Sequence, residues 1–337
     1  MKKYIYIIFI AFLAISCENE IPFNIDENPP KLIVNALFDA KKEKNEIMLA
    51  LTGRERTTYV KEASIDIYVN GILKDHITKP KSPCNEFDYY RYETDIRFLP
   101  DDVIKLEVST NDNKYHVQSE VIVPRLTQIE KIDTTLYSNQ NKWSYSEEKF
   151  IRIKTTFTDD GKKTNYYRIA LELNFEIDIE DPVSLEIETK YEKRVAALIV
   201  REDVVLTDGR PSTEVEEDNE LFTTIQNYYG VFDNSRINGT YTMTTSIRDP
   251  YLFSAYLGFY GDEYVKRIGG SVSVRLLSIS EMQYFYFKAL NIYDSVDYDD
   301  FFSPPVKFPS NIEGGAGIFG VSIGDEVVLP LEDYYPQ

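Results

Sequence analysis

The stretch SIDIYVNGILKDHIT, residues 64–78, contains two runs of alternating apolar and polar residues joined by Asn70-Gly71. Asparagine and glycine tolerate the left-handed backbone that both central positions of a type I′ turn require, so this stretch predicts a tight β-hairpin. The segment 103–124, VIKLEVSTNDNKYHVQSEVIVP, repeats the plan with a longer polar turn. Both segments predict strands that alternate between a buried and an exposed face.

Further β-rich runs, KLIVNALF at 31–38 and EIMLALT at 46–52, precede this hairpin. Together they predict about seven short strands with no helical periodicity within residues 31–124, the pattern of an immunoglobulin-like β-sandwich. We place the end of this domain near Pro124.

The rest of the chain, residues 125–337, is predicted to form a larger strand-rich domain. One amphipathic helix is expected at about 280–295, where Ser278 and Glu281 have the spacing of a capping box. Its apolar face is expected to pack on the sheet, with a cofactor groove as the alternative. The fold class is therefore mainly β, and the apolar residues of the helix are Met282, Phe285, Tyr286, Ala289, Leu290 and Tyr293.

The N-terminus predicts a lipoprotein signal peptide over residues 1–16. Lys2 and Lys3 precede an apolar run that is too short to span a bilayer as a stable helix, and small residues then lead to Cys17. This is the form of a bacterial lipobox, in which the cysteine becomes the acylated N-terminus that holds the protein on a membrane. An ordinary signal peptide with a chance cysteine is the alternative.

Residues 17–30 are predicted to form an acidic, proline-containing tether. Removal of Lys2 and Lys3 with the signal takes the formal charge from −19 to −21. Such an acidic surface argues against nucleic acid as a partner. The acidic residues directly after the cysteine, Glu18 and Glu20, resemble the surface-export signals of Bacteroidota lipoproteins. This resemblance implies an outer-membrane protein that faces the cell surface, and a simple solvated tether is the alternative.

Few residues indicate chemistry. His76 and His116 lie within predicted strands without nearby metal-ligating partners, so they are expected to be structural. The acidic stretches 214–218 and 297–300 could bind calcium, although neither has EF-hand spacing, and solvated loops are the simpler interpretation. We predict no catalytic residue, cofactor or metal, while a glycosidase that uses two of the many carboxylates stays open.

Tyrosine is abundant, with 26 residues. Most are expected in the core, but tyrosine also contacts sugars and protein partners through a rigid ring with a polar tip. The predicted contact surface for a ligand or partner consists of Tyr228, Tyr229, Tyr251, Tyr256 and Tyr260.

The C-terminal third resembles the closing motif of the DUF4249 family of Bacteroidota lipoproteins. The start of the mature chain is also similar, at Cys17-Glu18, 31–35 and 60–69. The closing motif combines a tyrosine-rich helix, a proline segment and a glycine-rich end: Tyr284, Tyr286, Pro304, Pro305, Ser310-Asn311-Ile312, Gly314-Gly315 and Gly317-Ile318-Phe319-Gly320.

This resemblance implies an outer-membrane lipoprotein that accompanies TonB-dependent transporters, with no catalytic residues to carry over. The leading functional expectation is therefore a non-catalytic accessory that binds a nutrient or docks on such a transporter. A structural or assembly protein of the cell surface is the second class, and a surface hydrolase is the third.

Overall fold

The computed structural model describes residues 29–53, 57–81, 90–140, 147–181, 183–211, 227–248, 265–295, 298 and 303–330. These residues are mainly in strands, with one α-helix near the C-terminus, as the sequence predicts. The predicted signal peptide, Cys17 and most of the tether lie outside the described residues. No helix among the described residues has both the length and the apolar character needed to cross a membrane.

The strands follow one another along the chain as β1 (Leu32–Asp39), β2 (Asn45–Leu51), β3 (Thr58–Tyr59), β4 (Ala63–Val69), β5 (Ile72–Ile77), β6 (Arg91–Thr94), β7 (Val103–Thr110), β8 (His116–Ile122), β9 (Ile129–Gln140), β10 (Glu147–Asp159), β11 (Tyr166–Glu180), β12 (Ile187–Val195), β13 (Val231–Asp233), β14 (Gly239–Arg248), β15 (Val265–Ile279) and β16 (Ala316–Pro330). A 3-10 turn (Asn234–Arg236) follows β13, and helix α1 (Glu281–Tyr293) follows β15.

The predicted hairpin is confirmed as β4 and β5, which pair antiparallel. Asn70 and Gly71 both have positive φ, 52° and 78°. The Asn70 side chain also accepts from the backbone N–H of Val103 at 3.0 Å. This amide therefore joins the hairpin turn to the start of β7.

A first core forms between the four-stranded sheet β5-β4-β7-β8 and one end of a nine-stranded sheet, where β1, β2 and β6 lie. Ile65 and Leu106 from the smaller sheet pack in one hydrophobic cluster with Leu32, Phe38 and Tyr92 from the larger one. Alternation along each strand produces this arrangement, because every second side chain faces the partner sheet. The immunoglobulin-like topology of this unit stays a prediction.

Strand β16 belongs to both halves of the protein. Its first half pairs parallel with β1, from Ile33 opposite Ala316 to Asp39 opposite Ser322. Its second half pairs antiparallel with β15. Phe319 and Val321 are fully buried in the first core. The end of the chain thus contributes to the core of the domain that the sequence assigns to residues 31–124.

The glycine-rich closing motif permits this close approach. A Cβ atom at Gly317, where φ is +105°, would lie 2.1 Å from the carbonyl oxygen of Val34. Phe319 fits edge-on against Phe38, with ring centroids 5.2 Å apart. The Asn311 side chain bonds to both the N–H and the C=O of Phe319, at 2.9 and 2.8 Å. The motif therefore serves the fold by seating β16 beside β1.

A second core lies between the three-stranded sheet β14-β10-β9 and the other end of the large sheet. Phe157, Leu171 and Val274 are central to it.

Helix α1 covers part of the opposite face of β11 and β15, where Phe287 packs near Ala170. The helix thus lies on the sheet, as predicted, but the predicted apolar face is wrong. Of the six residues assigned to that face only Ala289 is buried, while Phe285 and Tyr293 are exposed. Tyr284 and Phe287 pack on the sheet instead, because their rings fill the cluster formed with Ala170.

The predicted capping box is wrong in one respect. Helix α1 begins at Glu281 with Ser280 as the N-cap residue, and the Ser280 side chain makes no capping hydrogen bond. Ser278 is instead in β15, opposite Tyr167 of β11. Strand pairing that continues to Ile279 holds Ser278 extended, so it cannot cap the helix.

Candidate functional site

A cleft of about 1110 Å³ lies where the two cores meet. Three segments line it: the linker after β8 at residues 122–128, the β10–β11 connection at 158–167, and the β15–α1 junction at 278–281. Ligand sites are common at such junctions between units of a fold. We refer to this site as the junction cleft.

Hydroxyl groups from three separate segments are connected at the junction cleft. Ser278 donates to the hydroxyl oxygen of Thr127 at 3.4 Å, and Thr127 donates to that of Tyr167 at 3.4 Å. The Tyr167 hydroxyl donates in turn to the carboxylate of Asp159. Thr127 lies on the linker, so this chain of hydroxyls ties the linker to β11 and β15.

Asp159 is 3% exposed, and both oxygens of its carboxylate are engaged. One oxygen accepts from the N–H of Gly161 at 2.7 Å and from the amide of Asn234 at 2.9 Å. The other accepts from the amide of Asn165 at 2.8 Å and from Tyr167. This carboxylate therefore anchors the β10–β11 connection to the 3-10 turn.

The protonation of Asp159 follows from these contacts. Burial alone would raise the pKa of the Asp159 carboxyl, but the hydrogen bonds from Tyr167, Asn234, Asn165 and Gly161 outweigh it. Its pKa lies below the ordinary value, so the group is ionised at neutral pH. A general acid requires a raised pKa instead. Asp159 is thus suited to hold the walls of the junction cleft in place.

Tyr166 of β11 contributes an aromatic ring to the lining of the junction cleft, beside the start of helix α1. The Tyr166 ring packs on the Tyr284 ring at 4.8 Å, and its hydroxyl donates to Glu281 at 2.8 Å. Burial and this carboxylate raise the pKa of Tyr166 to about 12, so the hydroxyl stays protonated. Lys162, Lys163 and other charged side chains also line the cleft. Hydroxyls, the Tyr166 ring and charges of both signs suit a polar ligand such as a saccharide or a peptide.

The structure places two of the five predicted contact tyrosines. Tyr228 lies in a turn and is 36% exposed. Tyr229 stacks on Phe287 at 5.2 Å, and its hydroxyl donates to Asp294. Tyr229 thus joins the turn before β13 to helix α1. Tyr251, Tyr256 and Tyr260 lie outside the described residues, so a shared contact surface stays a prediction.

The predicted polar sites are placed as follows. His76 lies beside Asp66 at 2.5 Å, and the ring of His116 lies 2.8 Å from the Ser109 hydroxyl, both on the first unit. Within the described part of the chain, no group of three or more His, Cys, Asp or Glu side chains is arranged to hold a metal ion. The stretch 214–218 and the three aspartates of 297–300 lie outside that part.

Sequence reasoning missed the residues of the junction cleft. Asp159, Asn165 and Tyr167 are close in sequence, and Asp159-Asp160-Gly161 is a turn signal in the sequence. Thr127, Asn234 and Ser278 come from distant positions with no local pattern that links them. Only the folded chain brings these six side chains together.

The fold and the junction cleft define a mainly-β protein. One large sheet packs against two smaller sheets, one at each end. The sequence model of the DUF4249 family, described as a domain of unknown function, matches residues 18–325. The chain belongs to this family. No curated protein matches it significantly.

Proposed function

We propose that this protein is a non-catalytic, lipid-anchored binding protein of the outer membrane, an accessory that holds a nutrient or docks on a TonB-dependent transporter. The observation that carries the proposal is the junction cleft, which offers hydroxyls, the Tyr166 ring and charges of both signs. Its most buried carboxylate, Asp159, is ionised and fully hydrogen-bonded. These features favour binding over proton transfer by that group.

The membrane part of the proposal is supported by sequence. Cys17 follows a short apolar run and small residues, as in a lipobox, and Glu18 and Glu20 resemble the surface-export signals of Bacteroidota lipoproteins. A clickable fatty acid should label the wild-type chain in cells and should not label Cys17→Ala. Absence of label on the wild type would remove the anchor from the proposal. Protease added to intact cells should cleave a surface protein, whereas full protection would place it in the periplasm.

One variant tests the role of the junction cleft. Thr164 is exposed and lines it, so Thr164→Arg should fill the opening without removing a partner of Asp159. Thr78→Arg is the matched control, because Thr78 is also exposed but lies after β5 in the first unit. Affinity capture from native outer membranes should recover the same transporter with wild type and Thr78→Arg, and less with Thr164→Arg. Equal recovery by all three would exclude the cleft as the contact site.

A structural role on the cell surface is the second candidate. The observation that favours it is β16, which pairs with both β1 and β15 and so makes the large sheet continuous from one core to the other. Capture of the same partner by wild type, Thr78→Arg and Thr164→Arg, with no small molecule bound in native mass spectrometry, would favour this role.

A further inference from the structure

Strand β12 forms the end of the nine-stranded sheet. It pairs with β11 over nine residues, from Glu172 opposite Val195 to Glu180 opposite Ile187. On its other side it pairs with no strand in the described part of the chain. Such an edge presents backbone N–H and C=O groups to which another strand can add.

The sequence of β12, IETKYEKRV, is complementary to itself in the antiparallel direction. If two copies pair with Tyr191 opposite Tyr191, then Lys190 lies opposite Glu192 and Glu188 lies opposite Arg194. Twofold symmetry makes each of these pairs occur twice. Directly opposed side chains of opposite charge stabilise a strand pair, and like charges destabilise it.

The two faces of β12 would make different contacts in this pair, one between charged side chains and the other between apolar side chains. One face, whose β11 neighbours are the apolar residues from Leu173 to Ile179, carries Glu188, Lys190, Glu192 and Arg194. Glu192 already lies 3.0 Å from Arg194 of its own strand. In the symmetric pair, Lys190 of the second copy would complete a row of alternating charge.

The opposite face carries apolar side chains that are open to solvent. Ile187, Tyr191 and Val195 are 61%, 76% and 72% exposed. In the same antiparallel register Ile187 faces Val195 of the second copy, and the two Tyr191 rings meet at the symmetry axis. Pairing would therefore bury three residues of each copy whose exposure is otherwise unfavourable.

The register is also selected by charge. A pairing centred on Thr189 would place Glu186 opposite Glu192. A pairing centred on Lys193 would place Lys190 opposite Ala196. Of these three arrangements, only the one centred on Tyr191 gives each of the four charged residues on the first face a partner of opposite sign.

We propose that two copies of this chain associate antiparallel through β12, with Tyr191 on the twofold axis, so that their large sheets become continuous. The interface is isologous, which closes the assembly at a dimer. The occupant of the edge is a second copy because the complementarity lies within one strand and needs no other sequence. This inference is independent of the proposed ligand role.

The test uses two single variants of the full chain in mild detergent, Lys190→Glu and Glu192→Lys. Each variant alone opposes like charges twice across the axis, so its dimer affinity should fall about tenfold or more. An equimolar mixture should form a heterodimer, because one copy then carries acidic side chains at both positions and the other carries basic side chains at both. Sedimentation velocity at up to about 100 µM measures this, since nine-residue strand pairing is a small interface.

Lys131→Glu is the matched control, because Lys131 pairs with Asp133 two residues away on β9, which is also an edge strand. It should leave the dimer unchanged. Circular dichroism melts should show all variants folded. A wild type that is monomeric throughout, single variants that dimerise normally, or a folded mixture that does not recover the dimer would each overturn the proposal. If the wild type is monomeric, β12 would instead be a site for a strand of a different protein.

Discussion

Arg275 of β15 donates to the carboxylate of Asp39 of β1 at 2.8 Å, although 236 residues separate them. The two side chains are only 20% and 11% exposed. Another nitrogen of Arg275 lies 3.6 Å from Glu172 of β11, and Glu172 pairs with Lys193 of β12. A row of alternating charge therefore crosses the large sheet from β1, beside the first core, to the edge strand β12.

Removing Arg275 should be costly. Arg275→Met leaves the mostly buried Asp39 carboxylate without its cation, and we expect a loss of about 2–4 kcal/mol in the free energy of unfolding. Arg125→Met is the control, because Arg125 pairs with Asp101 on the surface, where such pairs are worth under about 1 kcal/mol. Urea denaturation measures both. Equal losses of unfolding free energy in the two variants would show that the Arg275–Asp39 pair contributes no more to stability than a surface ion pair.

The shared strand predicts that the first unit cannot fold alone. A fragment of residues 29–124 lacks Phe319 and Val321, which are fully buried in its core. We expect this fragment to give a poorly dispersed amide NMR spectrum, because its core is open on one side. A peptide of residues 309–326 should restore dispersion, and the same peptide with Phe319→Asp should not. A well-dispersed spectrum of the fragment alone would contradict this prediction.

Local patterns account for what the sequence predicts correctly. Asn70-Gly71 defines its hairpin within fifteen residues, and the spacing of apolar side chains predicts that helix α1 forms, although it does not predict which face of the helix is buried. The pairing of β1 with β16 is different, since it joins positions more than 280 residues apart and depends on glycines whose purpose is visible only when the strands meet. The junction cleft is equally non-local, because Thr127, Asp159 and Ser278 have no common pattern in the sequence.

The glycines of the closing motif differ from turn glycines in their tolerance of a side chain. Gly317→Ala would place Cβ 2.1 Å from the Val34 carbonyl oxygen at a φ of +105°, so strands β1 and β16 would have to separate. We expect a loss of about 3 kcal/mol or more. Gly71→Ala, at a φ of +78° with nothing within 4 Å, should cost about 1–2 kcal/mol from backbone strain alone. Thermal melts of both variants measure these two losses of stability. A smaller loss for Gly317→Ala than for Gly71→Ala would contradict the prediction.

The last prediction concerns pH and Asp159. Because the pKa of this carboxyl in the folded protein lies below its unfolded value of about 3.9, its contribution to stability is complete above that pH. The contribution disappears as the pH falls through the lower folded pKa, since the folded state must then also take up the proton.

Asp159→Asn replaces a carboxylate, which only accepts hydrogen bonds, by an amide whose NH2 group donates them. Four donors surround this position, so the NH2 group would face donors without an acceptor. We expect it to lower the free energy of unfolding by about 2–4 kcal/mol at pH 7, with a difference from wild type that shrinks below about pH 4. Tyr167→Phe removes one donor and should raise the pKa of Asp159, moving the acid transition of the protein to higher pH. Urea titrations from pH 7 to pH 3 measure both effects. If the difference in stability between Asp159→Asn and wild type is constant over this pH range, the carboxylate does not supply the stability assigned to it. The walls of the junction cleft would then depend on the neutral hydrogen bonds among Thr127, Tyr167 and Ser278.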